Sequence, residues 1–516
     1  MREILYIQAG NYANHVGTHF WNAQETYFTY DNAAGGAGEE PLMAHDVSFR
    51  EGLNSEGEQT YRPRVLMFDH KENFGSLGAY SQMDVDPEEE DPSLWSVHFI
   101  CDFSPLLHGL SLCGNRTGRV VRQEHDRVPP HEYQSTLDHE FEEPAKTKLD
   151  QPAQEQAQEV LATRPPRYWS DFNRVFYAPK SLHQIPGALT RMWTDSPDDV
   201  WGNGVKAFGR YDQGLQVMND TSFFGSFTYQ FLEHFHDEHE KKLSSMVFSF
   251  ASTSLQAGKN VQNFDFTDAV LNDALCVQRY NEEASMYCLV QSPESWGSGE
   301  WQDGLNFDLK NQYQTSAIVA SHLDSATVPL RQLRSYADMP AFVSYLTMRG
   351  TLRLTHLNGS IPAEASSLSE AKRQIYDFSS IVDSEVRQPC ISSMPYSRWS
   401  VFRGLGANQV PAYEEWATSG LRDPPITRFS PYQMPSSFPT SIFKTTTTAK
   451  PGILTVPSYS SLGATSRSSV ATLAFYSQFV EACWKKRKGL EVVGGEADEM
   501  RTLRDELWAM CDDTGG

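Results

Sequence analysis

The chain has 516 residues, of which 39% are hydrophobic and 12% aromatic, and its formal net charge at pH 7 is −23. This apolar content predicts a large folded core in two or three domains and excludes a disordered chain. The acidic balance argues against direct nucleic-acid binding, because binding to a phosphate backbone relies on a basic surface.

Membrane and redox signals are weak. No stretch approaches the roughly 20 apolar residues that span a bilayer, and the mean hydropathy is −0.49. The N-terminal stretch lacks both a secretory apolar core and an Arg-rich transit pattern, so any organelle contact is expected from the cytosolic side. The seven cysteines are odd in number and form no CxxC pair, which predicts reduced, mostly buried thiols.

The first predicted unit is a strand, a loop and a helix. Ile4 to Ile7 predict a buried parallel strand, and apolar residues then recur at helical spacing from Ala13 to Tyr27. The loop between them, AGNYAN, is suited to aim backbone N–H groups and a helix N-terminus at an anion. An ordinary strand-to-helix turn is the alternative.

A second unit of this kind covers residues 215–250. LQVM (215–218) predicts a strand, NDTSFFGSF (219–227) a loop, Phe227, Phe231 and Phe235 a helix face, and MVFSF (246–250) the next strand. Alternating strands and helices predict an α/β fold with a doubly wound, mostly parallel sheet. Between the two units, residues of about 84–165 are acidic and poor in aromatics, which predicts a solvated, partly disordered insertion.

Beyond residue 320 the pattern changes. Short apolar segments at 342–348 and 351–357 alternate with Pro- and Ser-rich connectors such as DPPITRFSPYQMPSSFPTS (423–441), which predicts a second α/β domain with long surface loops. Residues 468–489 predict an amphipathic helix, and Glu496 to Met510 a last acidic one. The basic KKRK (485–488) stands where cations suit a helix C-terminus.

Several motifs resemble those of tubulins. MREILYIQAGNYANHVGTHFW is similar to the tubulin opening, which reads MREI, an apolar pair, IQAGQCGNQ and a helix ending in FW. RPRVLMFD (62–69), DQGLQV (212–217) and LNDALCVQRYNEEASMYCLV (271–290) resemble two tubulin strands and the helix with a guanine-contacting asparagine. SQFVEACWKKRKG followed by GGEADEM resembles the C-terminal helix pair. RYWSDFNRVFYAPKSLHQIPG (167–187) and the acidic insertion are absent from true tubulins and resemble the Misato family, specifically its fungal Misato-like members.

The resemblance implies a tubulin-like fold in three parts. These are a nucleotide-binding-type N-terminal domain at 1–310, a central helix with an intermediate α/β domain at 311–460, and C-terminal helices at 461–516. It also implies a role in mitochondrial distribution and morphology and in mitochondrial DNA inheritance. The expected location is the cytoplasm and the outer surface of the mitochondrion.

The tubulin nucleotide site carries over to seven positions, which are Gly10, Asn11, Tyr12, Asp69, Gly225, Asn272 and Tyr313. The first three correspond to the first phosphate loop, Asp69 to the acid near the metal, and Gly225 to the glycine loop. Asn272 corresponds to a guanine contact, and Tyr313 to the base-stacking tyrosine at the start of the central helix.

Several departures make this site vestigial. TSFFGSF (221–227) replaces the tubulin GGGTGSG, and only glycines let successive amides curl around phosphates. Phe223 and Phe224 are expected to crowd or plug that space. Lys71 replaces a metal-facing glutamate and cannot help to hold magnesium. Ala317 replaces the second guanine-contacting asparagine.

Two further motifs are weaker. GLNFDL (304–309) resembles the acid-bearing loop with which tubulin-like filaments hydrolyse nucleotide, but it is one residue short and precedes the central helix. A surface turn with local hydrogen bonds from Asn306 and Asp308 is preferred. His234, His236 and His239 do not share one helix face, so a solvated face is preferred over a metal site.

The sequence therefore predicts a non-enzymatic tubulin-like protein with no cofactor and no metal, acting through protein partners. Loss of the glycine loop and of the hydrolytic acid removes both the phosphate cradle and the means of turnover. Two alternatives stay open, a GTP-binding GTPase of the filament-forming kind and an assembly partner of tubulin or of the cytosolic chaperonin.

Overall fold

The computed structural model describes residues 3–28, 42–53, 59–75, 77, 166–175, 177, 181–184, 214–238, 243–251, 264–334, 336–348, 350, 352–381, 395–445, 447–450 and 453–515. The predicted acidic insertion at 84–165 lies outside these residues, as do Cys101, Cys113 and Cys390. The other four cysteines, Cys276, Cys288, Cys483 and Cys511, are free and buried, as predicted.

The strands fall into one large sheet and two small ones. In chain order they are β1 (Ile4–Ala9), β2 (Phe49–Leu53), β3 (Gln59–Pro63), β4 (Val65–Asp69), β5 (Leu182–Gln184), β6 (Gly214–Asp220), β7 (Ser244–Phe250), β8 (Met286–Val290), β9 (Leu354–Ser360), β10 (Tyr376–Asp377), β11 (Pro395–Arg403), β12 (Ile426–Phe429), β13 (Tyr432–Met434), β14 (Thr447–Lys450), β15 (Ile453–Val456) and β16 (Ser458–Thr465).

The large sheet has the order β12-β11-β16-β9-β8-β7-β6-β1-β4-β5, with β10 added beside β9. From β5 to β9 all neighbours are parallel, whereas β9, β16 and β11 pair antiparallel. The predicted α/β fold with a mostly parallel sheet is confirmed. The domain boundaries stay predictions, and β8 and β9, on either side of residue 310, pair within this one sheet.

Ten α-helices are described within these ranges. In chain order they are α1 (Asn11–Glu25), α2 (Thr221–Glu238), α3 (Phe264–Glu283), α4 (Gln312–Ala326), α5 (Val328–Arg331), α6 (Met339–Leu346), α7 (Leu368–Gln374), α8 (Val410–Thr418), α9 (Ser466–Lys486) and α10 (Ala497–Gly515). None of the described helices is both long and apolar enough to cross a bilayer.

Both faces of the sheet are covered because its strands are apolar on both sides. In β1, Ile4 and Tyr6 belong to the core shared with α1 and α4, whereas Leu5 and Ile7 belong to the core shared with α2 and α3. Outside α3 lies the pair α9 and α10, which pack on each other. The predicted central helix is α4, and the two predicted C-terminal helices are confirmed.

The prediction of a loop at 219–227 is wrong. Asn219 and Asp220 end β6, and α2 begins at the next residue, Thr221. The reason is that the apolar helix face starts earlier than assigned, since Phe224 is buried with Phe227 and Phe231 at spacings of three and four. Without the tubulin glycines, nothing here interrupts the helix.

The Pro- and Ser-rich connector at 423–441 also differs from its prediction as a long surface loop. Its segments Ile426–Phe429 and Tyr432–Met434 form β12 and β13. These strands pair with β11 and β15, so their backbone groups are satisfied inside sheets. At the end of α9, Lys485 and Lys486 occupy the last helical turn, in agreement with the predicted place of KKRK.

A buried ionic group, here named the Asp324 cluster, joins the central helix to its neighbours. The Asp324 carboxylate accepts hydrogen bonds from Arg331 and Arg403, at 2.9 Å each, and from the Tyr27 hydroxyl at 2.8 Å. The Gln24 side chain donates to the same carboxylate. Because these residues come from α1 and the turn after it, from α4, α5 and β11, the cluster ties α1 and β11 to the central helix.

Candidate functional site

The candidate site lies where β1, β4 and β6 end side by side, at the carboxyl-terminal edge of the parallel sheet. A cavity of about 800 Å³ opens there, and this edge is where open α/β sheets bind ligands. Of the predicted site residues, Asn11, Tyr12 and Asp69 line the cavity. Gly10 is the residue that precedes α1, and the Asn11 side chain donates to Gln312 at the start of α4.

The N-terminus of α1 already binds an anion, the carboxylate of Asp220 at the end of β6. The backbone N–H groups of Tyr12 and Ala13 donate to its two oxygens, at 2.8 Å each. Gly10 permits this approach, since its φ is +113° and a Cβ there would lie 2.6 Å from the Asp220 side chain. The loop does direct N–H groups at an anion, but that anion belongs to the same chain.

Asp220 also has an unusual proton affinity. Burial raises the pKa of Asp220 to about 7, and the charge of nearby Asp69 acts in the same direction, against the two N–H bonds. Sequence reasoning misses Asp220, because 219–227 reads as a loop. The available signal is an aspartate at the end of a strand that neighbours β1.

Asp69 lines the cavity, but its oxygens are occupied. One oxygen accepts from the Asn73 side chain at 2.7 Å and from the backbone N–H of His70 at 2.8 Å. The other accepts from Asn14 at 3.0 Å and from the Trp169 indole at 3.2 Å. Burial raises the pKa of Asp69 against these hydrogen bonds. No group of three metal-ligating side chains is found among the described residues.

The glycine-loop equivalent borders the cavity as a helix. Phe224 is 1% exposed and packs on Phe227, which packs in turn on Phe68, whereas Phe223 is 40% exposed next to His70. Both rings line the cavity without filling it, so the expectation that they plug it is wrong. Gly225 is not brought to the cavity, and its carbonyl accepts a hydrogen bond from Tyr280 at 3.0 Å.

The base end of the predicted site is filled by aromatic side chains. Tyr313 is 5% exposed, and its hydroxyl donates to the Ser437 carbonyl. Its ring centroid lies 4.8 Å from that of Phe172, which stacks in turn on His19 at 4.4 Å. Phe172 belongs to the segment 167–187, which is absent from true tubulins in the sequence comparison above. Tyr313 therefore has no open face for a base, and no local sequence signal places Phe172 there.

Neither of the two positions that correspond to guanine-contacting asparagines in tubulin presents a side chain to the cavity. The Asn272 side chain donates to the Ser222 carbonyl at 3.3 Å, at the start of α2, and Asn272 does not line the cavity. Ala317 is fully buried in the core. The sequence predicts that seven residues form one site. The structure places three of them in the cavity lining, and Gly10 lies next to the cavity, before α1.

In GLNFDL (304–309) the preferred local hydrogen bond is confirmed for Asp308 but not for Asn306, whose backbone pairs with a distant segment. The Asp308 carboxylate accepts from the backbone N–H of Lys310 at 3.0 Å, and the backbone N–H of Asn306 donates to Ile442. Asp308 does not line the cavity.

The prediction of a solvated face for the histidines on α2 is wrong for His236. That side chain is 3% exposed and lies 3.3 Å from Glu283 of α3. Its position follows from the packing of α2 on α3, which the spacing of the histidines alone does not predict. His239 lies outside the described residues.

Comparison with known protein families agrees with the tubulin-like arrangement of the sheet and its helices. Residues 2–139 match the family described as the Misato Segment II tubulin-like domain. Together with the helix-covered, mainly parallel sheet, this match defines the chain as a tubulin-like protein.

Longer similarities, over about two thirds or more of this chain, are to proteins named dml1, DML1 and misato. "Protein dml1" of Aspergillus clavatus is 29% identical over 361 residues, which are 66% of this chain and 62% of that protein. "Protein DML1" of Coccidioides immitis is 27% identical over 71% of this chain and 65% of its own. "Protein misato" of Drosophila melanogaster is 25% identical over 82% of this chain and 76% of its own. The resemblance to the Misato family that the motifs predict is confirmed. The alignments span under two thirds of the length of these two fungal relatives.

Proposed function

We propose that this chain is a non-enzymatic, tubulin-like protein that acts through protein partners in mitochondrial distribution and morphology and in mitochondrial DNA inheritance. The observation that carries the non-enzymatic part is the Asp220 carboxylate on the N–H groups of Tyr12 and Ala13. A nucleotide phosphate would have to displace this carboxylate, and it would meet the charges of Asp220 and Asp69 together.

Two further observations support the loss of nucleotide binding at this site. Tyr313 is covered by Phe172, so the base lacks its stacking surface. Asp308 accepts the Lys310 backbone N–H in front of α4, which supports the preference for a surface turn over a hydrolytic loop at GLNFDL. Without phosphate binding and without hydrolysis, nucleotide turnover cannot control the assembly and disassembly of a filament.

The mitochondrial part of the proposal comes from the family resemblance. We place the protein in the cytoplasm and on the outer mitochondrial surface, and we propose tubulin or the cytosolic chaperonin as partner candidates. Co-purification of the full chain from a fungal lysate tests these partners. Recovery of neither one would remove them and leave a different mitochondrial partner.

A replacement experiment tests the function. A fungal strain whose own copy is replaced by Lys310→Glu should keep wild-type mitochondrial networks and transmit mitochondrial DNA, because the added negative charge at the cavity rim repels phosphates but does not hinder the binding of a protein partner. Arg422→Glu, an exposed basic residue outside the cavity, is the matched control. Mitochondrial defects with Lys310→Glu but not with Arg422→Glu would favour the GTP-binding alternative. Normal mitochondria after loss of the protein altogether would contradict the mitochondrial role.

A further inference from the structure

The floor of the cavity carries two carboxylates, Asp69 and Asp220, which accept hydrogen bonds from neutral donors, and the His70 ring lies beside Asp69. Asp69 accepts from two amides, an indole and a backbone N–H, and Asp220 accepts from two backbone N–H groups. All these donors are neutral. Buried charges in proteins are usually paired with an opposite charge, so a fully buried Asp69 and a half-buried Asp220 with neutral donors are exceptional.

The rim does not compensate for this charge. Two lysines, Lys71 and Lys310, face two glutamates, Glu72 and Glu294, and all four side chains are exposed to solvent. Their charges cancel, and exposed charges are screened by water and salt. The excess of negative charge is therefore at the floor, where the raised pKa of Asp220 reflects its burial beside Asp69.

The walls are aromatic. The ring of Tyr12 meets Phe250 edge to face, with centroids 5.4 Å apart, and Phe223 stands 40% exposed at the rim. Aromatic faces attract guanidinium and ammonium groups, and they also cover the apolar stem of a long basic side chain. Each oxygen of Asp220 accepts one N–H, which leaves a second lone pair for a further donor.

We propose that the cavity binds one basic side chain, an arginine or a lysine, presented by an apolar segment of a partner protein. The cation pairs with Asp220 near the charge of Asp69, its stem lies against Tyr12 and Phe250, and the flanking apolar residues cover Phe223. The described residues offer no cluster for a metal ion, and the cavity is far larger than an ion. This inference rests on the proposed function, since a bound nucleotide would exclude it.

The test is a titration of the full chain with the peptide acetyl-GSLRLSG-amide, followed by calorimetry. The control peptide carries citrulline in place of arginine, which keeps the shape and removes the charge. Wild type is expected to bind the arginine peptide at least about tenfold more tightly than the citrulline peptide, because the pair is partly buried. Asp220→Asn should lose the same preference, and Asp423→Asn, which removes an exposed aspartate far from the cavity lining, should keep it.

Each other outcome has a defined meaning. Equal binding of both peptides to wild type overturns the inference without requiring a variant to fold, and so does equal binding of the arginine peptide to wild type and folded Asp220→Asn. Asp220-dependent heat from MgCl2 alone overturns it in favour of a metal site. In parallel titrations, binding of GTP contradicts the proposed function, whereas binding of neither GTP nor the peptide contradicts only this inference.

Discussion

Two sets of buried carboxylates in this molecule have opposite surroundings. Asp324, in the core between α1, α4 and β11, is paired with Arg331 and Arg403. Asp220 and Asp69, at the cavity, accept hydrogen bonds only from neutral donors. The charge of Asp324 is balanced by arginines of the same chain and stabilises the fold. Asp220 and Asp69 instead place negative charge at an accessible cavity. This difference distinguishes the tubulin-like fold, which is retained, from the cavity, which has lost the residues that bind nucleotide in tubulins.

The largest expected effect is at the Asp324 cluster. Asp324→Ala leaves two buried arginines without a counter-charge and should lower the free energy of unfolding by about 3–5 kcal/mol. Glu414→Ala breaks only the exposed pair of Glu414 with Arg428 and should cost less than about 1 kcal/mol. Denaturant unfolding measures both. Equal small losses would show that the cluster does not stabilise the frame.

The next effect concerns the filled base end. Phe172→Ala removes a fully buried ring from between His19 and Tyr313 and should cost about 3 kcal/mol. Phe223→Ala, at the exposed rim, should cost less than about 1 kcal/mol. Thermal unfolding of both variants checks this order. If Phe172→Ala folded with wild-type stability, Phe172 would not be a packed replacement for a base.

A smaller effect should arise at Gly10. Gly10→Ala places a methyl group against Asp220 and also strains a backbone with positive φ, so it should cost about 2–3 kcal/mol. Gly350→Ala is the matched control, since its φ is +89° and nothing lies within 4 Å of its added Cβ. The excess cost of Gly10→Ala should disappear in an Asp220→Gly background. An excess that persists there would mean that Asp220 is not what Gly10 accommodates.

The smallest effect is a pH dependence from Asp220. Its pKa is about 7 in the folded chain, against 3.8 ordinarily, so between about pH 4 and pH 7 the folded state holds a proton that the unfolded state has released. Stability from this group therefore falls as pH rises through that range. Replacing Asp220 by Asn should be more favourable at pH 8 than at pH 5, by on the order of 1 kcal/mol. Asp423→Asn should show no such change, and a pH-independent difference for Asp220→Asn would contradict the assignment.

The frame could be predicted from the sequence because it depends on local patterns. Ile4 to Ile7 and residues 246–250 form buried strands as their apolar runs predict, and the spacing in 470–510 gives the last two helices. The start of α2 could not be predicted from the tubulin pattern, because the pattern transfers a loop whose glycines this chain lacks.

The site was predictable only in part. Motif matching identifies Gly10, Asn11, Tyr12 and Asp69, since these follow strands that meet at one edge of the sheet. It does not identify Asp220 or Phe172, because their roles depend on contacts with residues more than 100 positions away. A substitution such as Ala317 for the guanine-contacting asparagine shows that the nucleotide site has changed. Only the three-dimensional packing shows which side chains now occupy the position of the nucleotide.

The central claim is that Asp220 has taken the place of a nucleotide phosphate. The most direct measurement is calorimetry of nucleotide-stripped wild type with GTP and GDP in the presence of magnesium, beside a Phe223→Gly/Phe224→Gly variant. The account predicts no binding heat from wild type, with or without binding by the variant. A wild-type dissociation constant of about 1 μM or tighter, about −8 kcal/mol, would contradict it.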